Sequence, residues 1–433
     1  MDINSDKNYE GVVLKAPIYN LYDKEERIRK DLRDDRIVEL VDDLICRAIA
    51  LHASDIHLQP MQDYMRVRFR IDGILYDQED LNIYQQLLVI SRLKVISGLD
   101  IAKKRNPQDG KLRVRIFSDK IIDLRIATFP TIYGEKMVIR ILDKYKNKLL
   151  LEELGFSQKI VEGIKSIISR KQGLFLVTGP TGSGKTTTLY SILSILDSSK
   201  YNIVTMEDPV EYNLDGITQS QVNIKSGFTF SSGLRSLLRH DPDIIMIGEI
   251  RDKETAQIAV EASLTGHLVL STLHTNDSIG AITRLIDMGV EPFLVKATLM
   301  GVLAQRLIRK LCDRCKVEKL LNNEEMILFK INKQPERSFI SKGCNFCFNL
   351  GYKGRVAIGE LLAVNSEILN LVTSDVSEKN LRILVSRLGI KNLFDDLLDK
   401  LEKGIISVDE FIQVAYVLNK NETGTKSSLP NLI

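Results

Sequence analysis

The chain has 433 residues, a formal net charge of +3, 44% apolar residues and 27% charged residues. That length calls for two or three domains of ordinary soluble composition, and so small a charge excludes a strong general field for nucleic acid or anionic lipid. No apolar run approaches 18 residues, which excludes a spanning helix, and the polar, acidic start Met1-Asp2-Ile3-Asn4-Ser5-Asp6 excludes a secretory signal, so a cytosolic protein is expected, with any membrane contact made through partners.

Residues 1–33 are polar and charged and read as a weakly ordered arm or a solvated helix. Asp34 or Asp35 then caps an amphipathic helix whose stripe is Ile37, Leu40, Val41, Leu44, Ile45, Ala48 and Ile49, and Cys46 falls on this stripe as inert core. Val67, Phe69 and Ile71 alternate with Arg66, Arg68, Arg70 and Asp72, the pattern of a half-buried strand ending in an Asp72-Gly73 turn. Helical spacing runs from Tyr84 to Ile96 and stops at Gly98. Strands follow at 112–116, 122–126 and 137–142, the first two joined by Ser118-Asp119-Lys120. Residues 34–145 therefore predict a small α+β domain with arginines on one face, ending in a linker over 143–150.

Residues 146–310 predict an α/β domain. Strands at 174–178, 202–206, 243–247 and 268–272 alternate with helical segments, which argues a mostly parallel sheet. After the first of these strands comes Gly179-Pro180-Thr181-Gly182-Ser183-Gly184-Lys185-Thr186, which fits G-x-x-x-x-G-K-[ST], and Thr187 continues into a helix. Such a loop binds a nucleoside triphosphate. Its glycines let backbone N–H groups face phosphate oxygens, the helix N-terminus adds positive dipole, Lys185 reaches the β- and γ-phosphates, and the Thr186 hydroxyl ligates Mg²⁺.

Three polar clusters end on sheet strands beside this loop. Glu207-Asp208-Pro209-Val210-Glu211-Tyr212 closes the 202–206 strand, where carboxylates stand near bound phosphates in a parallel sheet. Asp243-Ile244-Ile245-Met246-Ile247-Gly248-Glu249 has the form of a second acidic motif, with Gly248 in the usual Asp position, so that Glu249 supplies the acid. His267 and His274 bracket the 268–272 strand and either touch the nucleotide and its water or pack locally.

Residues 311–355 hold Cys312, Cys315, Cys344 and Cys347, two C-x-x-C pairs with 28 residues between them. In a reduced compartment this predicts Zn²⁺ held by four thiolates, a closed and structural site whose charge is offset by Arg309, Lys310, Arg314 and Lys316. A helical part over 356–418 and a disordered tail over 419–433 complete the expected order.

The segments GPTGSGKTTTLY, MEDPVEY, DPDIIMIGEIRD and LTGHLVLSTLHTNDS, in this order, closely resemble the ATPases of type II secretion and type IV pilus systems. ASDIHLQP, RFRIDG and DLRIATFPTIYGEKMVIRIL resemble the same family before the phosphate loop, and AQRLIRKLCDRC and GYKGRVAIGELL after it, so that the likeness covers about residues 35–400. It implies a RecA-like P-loop domain behind a small, sensing-type (PAS-like) domain, and a homo-hexamer that hydrolyses ATP with Mg²⁺. It also implies work at the inner membrane on a polytopic platform protein, driving assembly of a pilus or pseudopilus. By the same likeness Glu207 is the general base, Glu249 holds Mg²⁺ through water, and His267 and His274 form the histidine box. Arg70 and Arg113, with Arg66, Arg68 and Arg115 as competitors, reach a phosphate in trans.

The four cysteines favour assembly over pilus retraction. A competence-pilus motor for DNA uptake is an alternative; a zinc-containing nucleic-acid translocase is another, opposed by the modest charge and the lack of interleaved aromatics, so no specific nucleic acid is expected. Two features depart from the family: only about 33 residues precede the first match, where a docking domain of about a hundred is usual, and Gln59 stands where Glu is common.

Overall fold

The computed structural model describes residues 18–20, 35–116, 120–142, 149–320, 338–373, 375 and 377–423. The 118–120 turn, most of the 143–150 linker, the ends of both termini and the centre of the cysteine module lie wholly or partly outside the described residues. The chain forms two compact units, Met1–Lys146 and Asn147–Ile433.

The first unit contains β1 (Ile18–Asn20), α1 (Asp35–Ala50), β2 (Asp55–Pro60), β3 (Tyr64–Ile71), β4 (Ile74–Asp77), β5 (Leu81–Asn82), α2 (Ile83–Ile96), β6 (Gln108–Arg115), β7 (Ile121–Thr131) and β8 (Gly134–Leu142). Its sheet has the order β1-β6-β7-β8-β2-β3-β4, with β5 on β3. The alternation read from the sequence is realised: Val67, Phe69 and Ile71 are buried, and Arg66, Arg68 and Arg70 emerge on the other face. The β3–β4 turn uses Asp72 at φ 48° and Gly73 at φ 93°. Asn82 caps α2 through its side-chain oxygen, and Gln85 returns the bond to the Asn82 N–H.

Two expectations change here. Part of the N-terminal arm is a strand, because Ile18–Asn20 pairs parallel with β6. Cys46 is only half-buried, beside a stripe formed by Val41, Leu44, Ile45 and Ala48.

The second unit contains α3 (Gln158–Ile168), β9 (Gly173–Thr178), α4 (Lys185–Ile195), β10 (Ile203–Glu207), β11 (Thr218–Gln221), α5 (Phe230–Leu237), β12 (Ile244–Ile247), α6 (Lys253–Leu264), β13 (Leu268–Leu273), α7 (Ser278–Asp287), α8 (Pro292–Thr298) and β14 (Leu299–Leu311). β15 (Val317–Glu318), β16 (Phe339–Ile340), β17 (Tyr352–Ala363), α9 (Ser366–Asn370), α10 (Glu378–Arg387), α11 (Leu393–Glu402) and α12 (Val408–Thr423) follow. The main sheet has the order β11-β10-β12-β13-β9-β14-β17 and is parallel except for β17, which runs antiparallel to β14. All six residues of β9 and all six of β13 are buried, as in a sheet covered on both faces.

The C-terminal part departs from the sequence reading. It opens with β17, not with a helix, and α12 continues through Thr423 into the segment expected to be disordered. β17 completes the sheet edge and gives the C-terminal helices a surface to cover: Val356 and Ile358 share a core with Leu393, Leu397, Leu401 and Phe411. Among the described residues, no helix is long and apolar enough to cross a membrane.

Candidate nucleotide site and cysteine centre

Parallel register brings four chain segments to one edge of the sheet. Thr178 pairs with Leu273, Ser271 with Ile247, and Ile247 with Met206. The residues just beyond these ends are Gly179, His274, Gly248-Glu249 and Glu207, so the phosphate loop, both acidic motifs and one histidine share the C-terminal edge. Thr178 ties this edge together, since its hydroxyl contacts the Leu273 carbonyl at 3.0 Å and accepts from the Thr275 N–H at 2.9 Å.

The loop curls through three glycines at positive φ, Gly179, Gly182 and Gly184. Gly179 (φ 148°) lies against β14, and a Cβ there would stand 2.4 Å from the Gln305 carbonyl oxygen. Gly184 (φ 88°) caps α4 in the left-handed region. The Lys185 ammonium donates to the carbonyls of Gly179 (2.8 Å) and Pro180 (3.1 Å). Burial pushes its pKa down, and the nearby Glu249 carboxylate partly opposes the shift. The Ser183 hydroxyl is buried without a partner among the described residues, while Thr181, Thr186 and Thr187 are exposed. An unmet buried donor inside a ring of glycines, beside an open Thr186 hydroxyl, suits a phosphate and its metal ion.

Gln305, which the sequence reading did not single out, holds this loop. Its side chain is 1% exposed. It donates to the Ser183 carbonyl at 2.7 Å and accepts from the Thr188 hydroxyl at 2.8 Å. A buried amide satisfied from both sides fixes the loop against α4 and β14.

The acidic motifs differ in setting. Glu207 is 3% exposed and heavily hydrogen-bonded. Its carboxylate accepts from the Thr205 hydroxyl (2.5 Å), the Gln219 amide (3.1 Å) and the Tyr190 hydroxyl. Glu249 pairs with Arg251 at 2.5 Å and with His274 at 3.4 Å. The glycine before it has a steric reason: a Cβ on Gly248 would lie 3.2 Å from the Met206 carbonyl oxygen and 3.4 Å from the Glu207 Cα. The chain therefore crosses β10 closely, and the next residue carries the acid.

His267 sits elsewhere. It precedes β13 at the opposite end of the sheet, where its carbonyl receives the Gly173 N–H and its Nδ1 lies 2.8 Å from the Ala262 carbonyl oxygen. Seven strand steps of about 3.3 Å separate it from His274 at the edge carrying the loop, about 23 Å in all. Within this chain it packs locally, and of the two histidines only His274 lies at the edge that carries the loop.

The arginines of the first unit meet internal partners. Arg66 pairs with Asp77 at 3.1 Å and Arg113 with Asp123 at 3.2 Å. Arg70 lies 3.8 Å from Asp55 and donates to the Gly73 carbonyl, and Arg68 donates to Gln59 at 2.8 Å. Carboxylates interleaved on the same face relieve the repulsion that the sequence pattern implied. Arg115 is exposed and makes no ion pair among the described residues.

The four cysteines converge. Their sulfur atoms all lie within 4.8 Å of one another, with separations of 3.9 Å for Cys312–Cys344 and 3.7 Å for Cys315–Cys347 and Cys344–Cys347. A tetrahedron with Zn–S of about 2.3 Å requires S···S of about 3.8 Å, so the donor set fits zinc. Burial pushes the Cys347 thiol up, but the N–H groups of Cys344 and Gly351 point at its sulfur and, with the thiols of Cys315 and Cys344, outweigh this and lower its pKa to about 7. Arg314 and Lys353 lie over the ring of Phe346, between Cys344 and Cys347, 3.8 Å and 3.3 Å from its centroid.

A sheet of this order carrying this loop defines a P-loop nucleotide-binding protein. The comparisons narrow the class. The family described as "Type II/IV secretion system protein" matches residues 30–413, and the chain belongs to it. It is 46% identical over 382 residues to the Type II secretion system ATPase E of Vibrio cholerae, covering 88% of this chain and 76% of that one. It is 46% identical over 385 residues to the Type IV pilus assembly ATPase PilB of Thermus thermophilus, covering 88% of this chain and 43% of that one. Among solved structures, the pilus retraction motor PilT with bound ADP aligns at 28% identity and TM-score 0.56, over 86% of this chain and 95% of that one. The Legionella pneumophila ATPase DotB aligns at 22% identity and TM-score 0.64, over 87% and 95%, a likeness of fold.

Proposed function

We propose that this chain is the ATP-hydrolysing motor of a type II secretion or type IV pilus machine and drives assembly of a pilus or pseudopilus. The observation that carries this reading is the common sheet edge holding the phosphate loop, Glu207, Glu249 and His274. The second unit is RecA-like in this reading, and the first is a PAS-like partner domain. The motor works as a homo-hexamer at the cytoplasmic face of the inner membrane, against a polytopic platform protein.

The loop N–H groups and Lys185 bind the β- and γ-phosphates of ATP. Lys185 leaves the loop carbonyls it now holds and turns to the phosphates. Thr186 and Glu249 hold Mg²⁺, which neutralises charge on the phosphates when bound. Glu207 orients the attacking water and accepts its proton, as positioning and charge account for most of the catalysis in phosphoryl transfer. His274 holds the Glu249 carboxylate in place. Arg70 or Arg113 meets the phosphate of a neighbouring subunit, with Arg66, Arg68 and Arg115 as competitors. The four cysteines would hold a structural Zn²⁺, and their presence favours assembly over retraction.

Phosphate release measured with Mg²⁺ and ATP tests the core of this reading. Glu207→Gln should keep ATP affinity and lose most turnover, whereas Lys185→Ala should lose both. Parental hydrolysis by Glu207→Gln would remove Glu207 as the base.

A further inference from the structure

Tyr190 stands inside the nucleotide unit with an arrangement that phosphate binding does not require. It lies on α4, five residues after Lys185, or about 7.5 Å along the helix. Its side chain is wholly buried and its ring meets Tyr212 edge-on at 4.6 Å. The hydroxyl donates to Oε2 of Glu207 and accepts from the Glu211 N–H at 3.3 Å. Gln219, on the edge strand β11, lies 3.4 Å from the same hydroxyl and donates to the other Glu207 oxygen at 3.1 Å. Its own amide oxygen accepts from the Leu214 N–H at 2.7 Å, which fixes which end of the amide faces the acid.

We infer that Tyr190, supported by Gln219, is a positioning residue for the carboxylate of Glu207 and couples it to the helix that carries the phosphate loop. The inference rests on the reading of Glu207 as the base. A buried carboxylate with one loose torsion could take several orientations, and an in-line attack tolerates few of them. An ionised carboxylate has about four acceptor sites. Tyr190, Thr205 and Gln219 occupy three, which leaves one for a water. The same rigid helix presents Thr186 at its start and Tyr190 about one turn later, so any shift of α4 on filling the phosphate loop is passed directly to the base. A phenylalanine would fill the same space in the core but would leave Oε2 free to turn.

The ordinary alternative is that Tyr190 only satisfies a buried acid and stabilises the fold. A double-mutant cycle on the full chain separates the two, with kcat and KM read from phosphate release and affinity from titration with a fluorescent ATP analogue. Tyr190→Phe should lower kcat about ten- to a hundredfold, the scale of one hydrogen bond to a charged group, while KM and nucleotide affinity stay within about twofold. In a Glu207→Gln background the same change should alter the residual rate less than about twofold, since the group it orients is gone. Parental kcat in Tyr190→Phe overturns the inference, and so do losses that multiply in the double variant. If Tyr190→Phe fails to fold, Gln219→Leu on the half-exposed edge strand carries the same cycle with the same criteria. Parental turnover by Glu207→Gln sinks the assignment of the base itself. Lost turnover there with an unaffected Tyr190→Phe sinks only the coupling.

Discussion

Gln305→Leu tests how far the phosphate loop depends on β14. Leucine has nearly the length of glutamine but neither donates nor accepts. The Ser183 carbonyl and Thr188 hydroxyl then both lose their partner, in a region where Thr188 is 1% and Ser183 3% exposed. Thr188 can turn its hydroxyl to the carbonyl one helical turn earlier, as threonines in helices do. The Ser183 carbonyl lies before the helix and has no such recourse. One orphaned carbonyl costs about 1–3 kcal/mol and the second lost bond about 1 kcal/mol, for a total of roughly 2–4 kcal/mol. The loop can recover part of this by moving off β14. The cost then appears partly as lower stability and partly as weaker ATP binding, where about 1.4 kcal/mol is tenfold. Titration with a fluorescent ATP analogue should show binding weaker by about tenfold or more, and thermal unfolding should begin a few degrees lower. Parental affinity together with a parental melting temperature would refute the view that Gln305 fixes the loop.

Metal analysis of protein purified under reducing conditions should find one zinc per chain, and Cys347→Ser should lower both zinc content and melting temperature, because structural zinc binding contributes directly to folding free energy; zinc-free protein of unchanged stability would rule the site out. The hexamer reading expects specific ATPase activity to rise with protein concentration and Arg70→Ala to cut turnover while ATP binding persists, and full activity from a strict monomer at high dilution would exclude catalysis in trans. Burial raises the pKa of Glu360 despite hydrogen bonds from the Ser278 N–H and hydroxyl. The neutral acid therefore contributes stability that is present below the ordinary carboxylate range and is lost as pH rises through the raised value. Melting curves from acid to neutral pH should shift in favour of Glu360→Gln over the parent as pH rises, and a constant difference would contradict the sign.

Local chemistry determined much of this protein. The run Leu174–Thr178, the glycines of the loop, Lys185 and Thr186 lie within one strand–loop–helix unit, so their spacing alone predicted the turn that the structure shows between β9 and α4. The convergence of the four cysteines was equally legible, because two C-x-x-C knuckles each bring their own pair of sulfurs together locally. The alternation of β3 gave its buried face directly. Tertiary structure decided the contacts that join distant segments. Gln305 lies 122 residues from Ser183, and Glu360 lies 82 from Ser278, distances over which no periodicity carries information. β17 was hidden because Val356–Leu362 is a short, mostly apolar stretch, broken only by Gly359 and Glu360, whose pattern does not separate a buried strand from a buried helix, and only pairing with β14 selects the strand. The two histidines look alike in sequence, yet a strand has two ends. The parallel register sends His274 to the phosphate edge and His267 to the other, and it brings acids from two further strands beside the loop because parallel strands end on the same side.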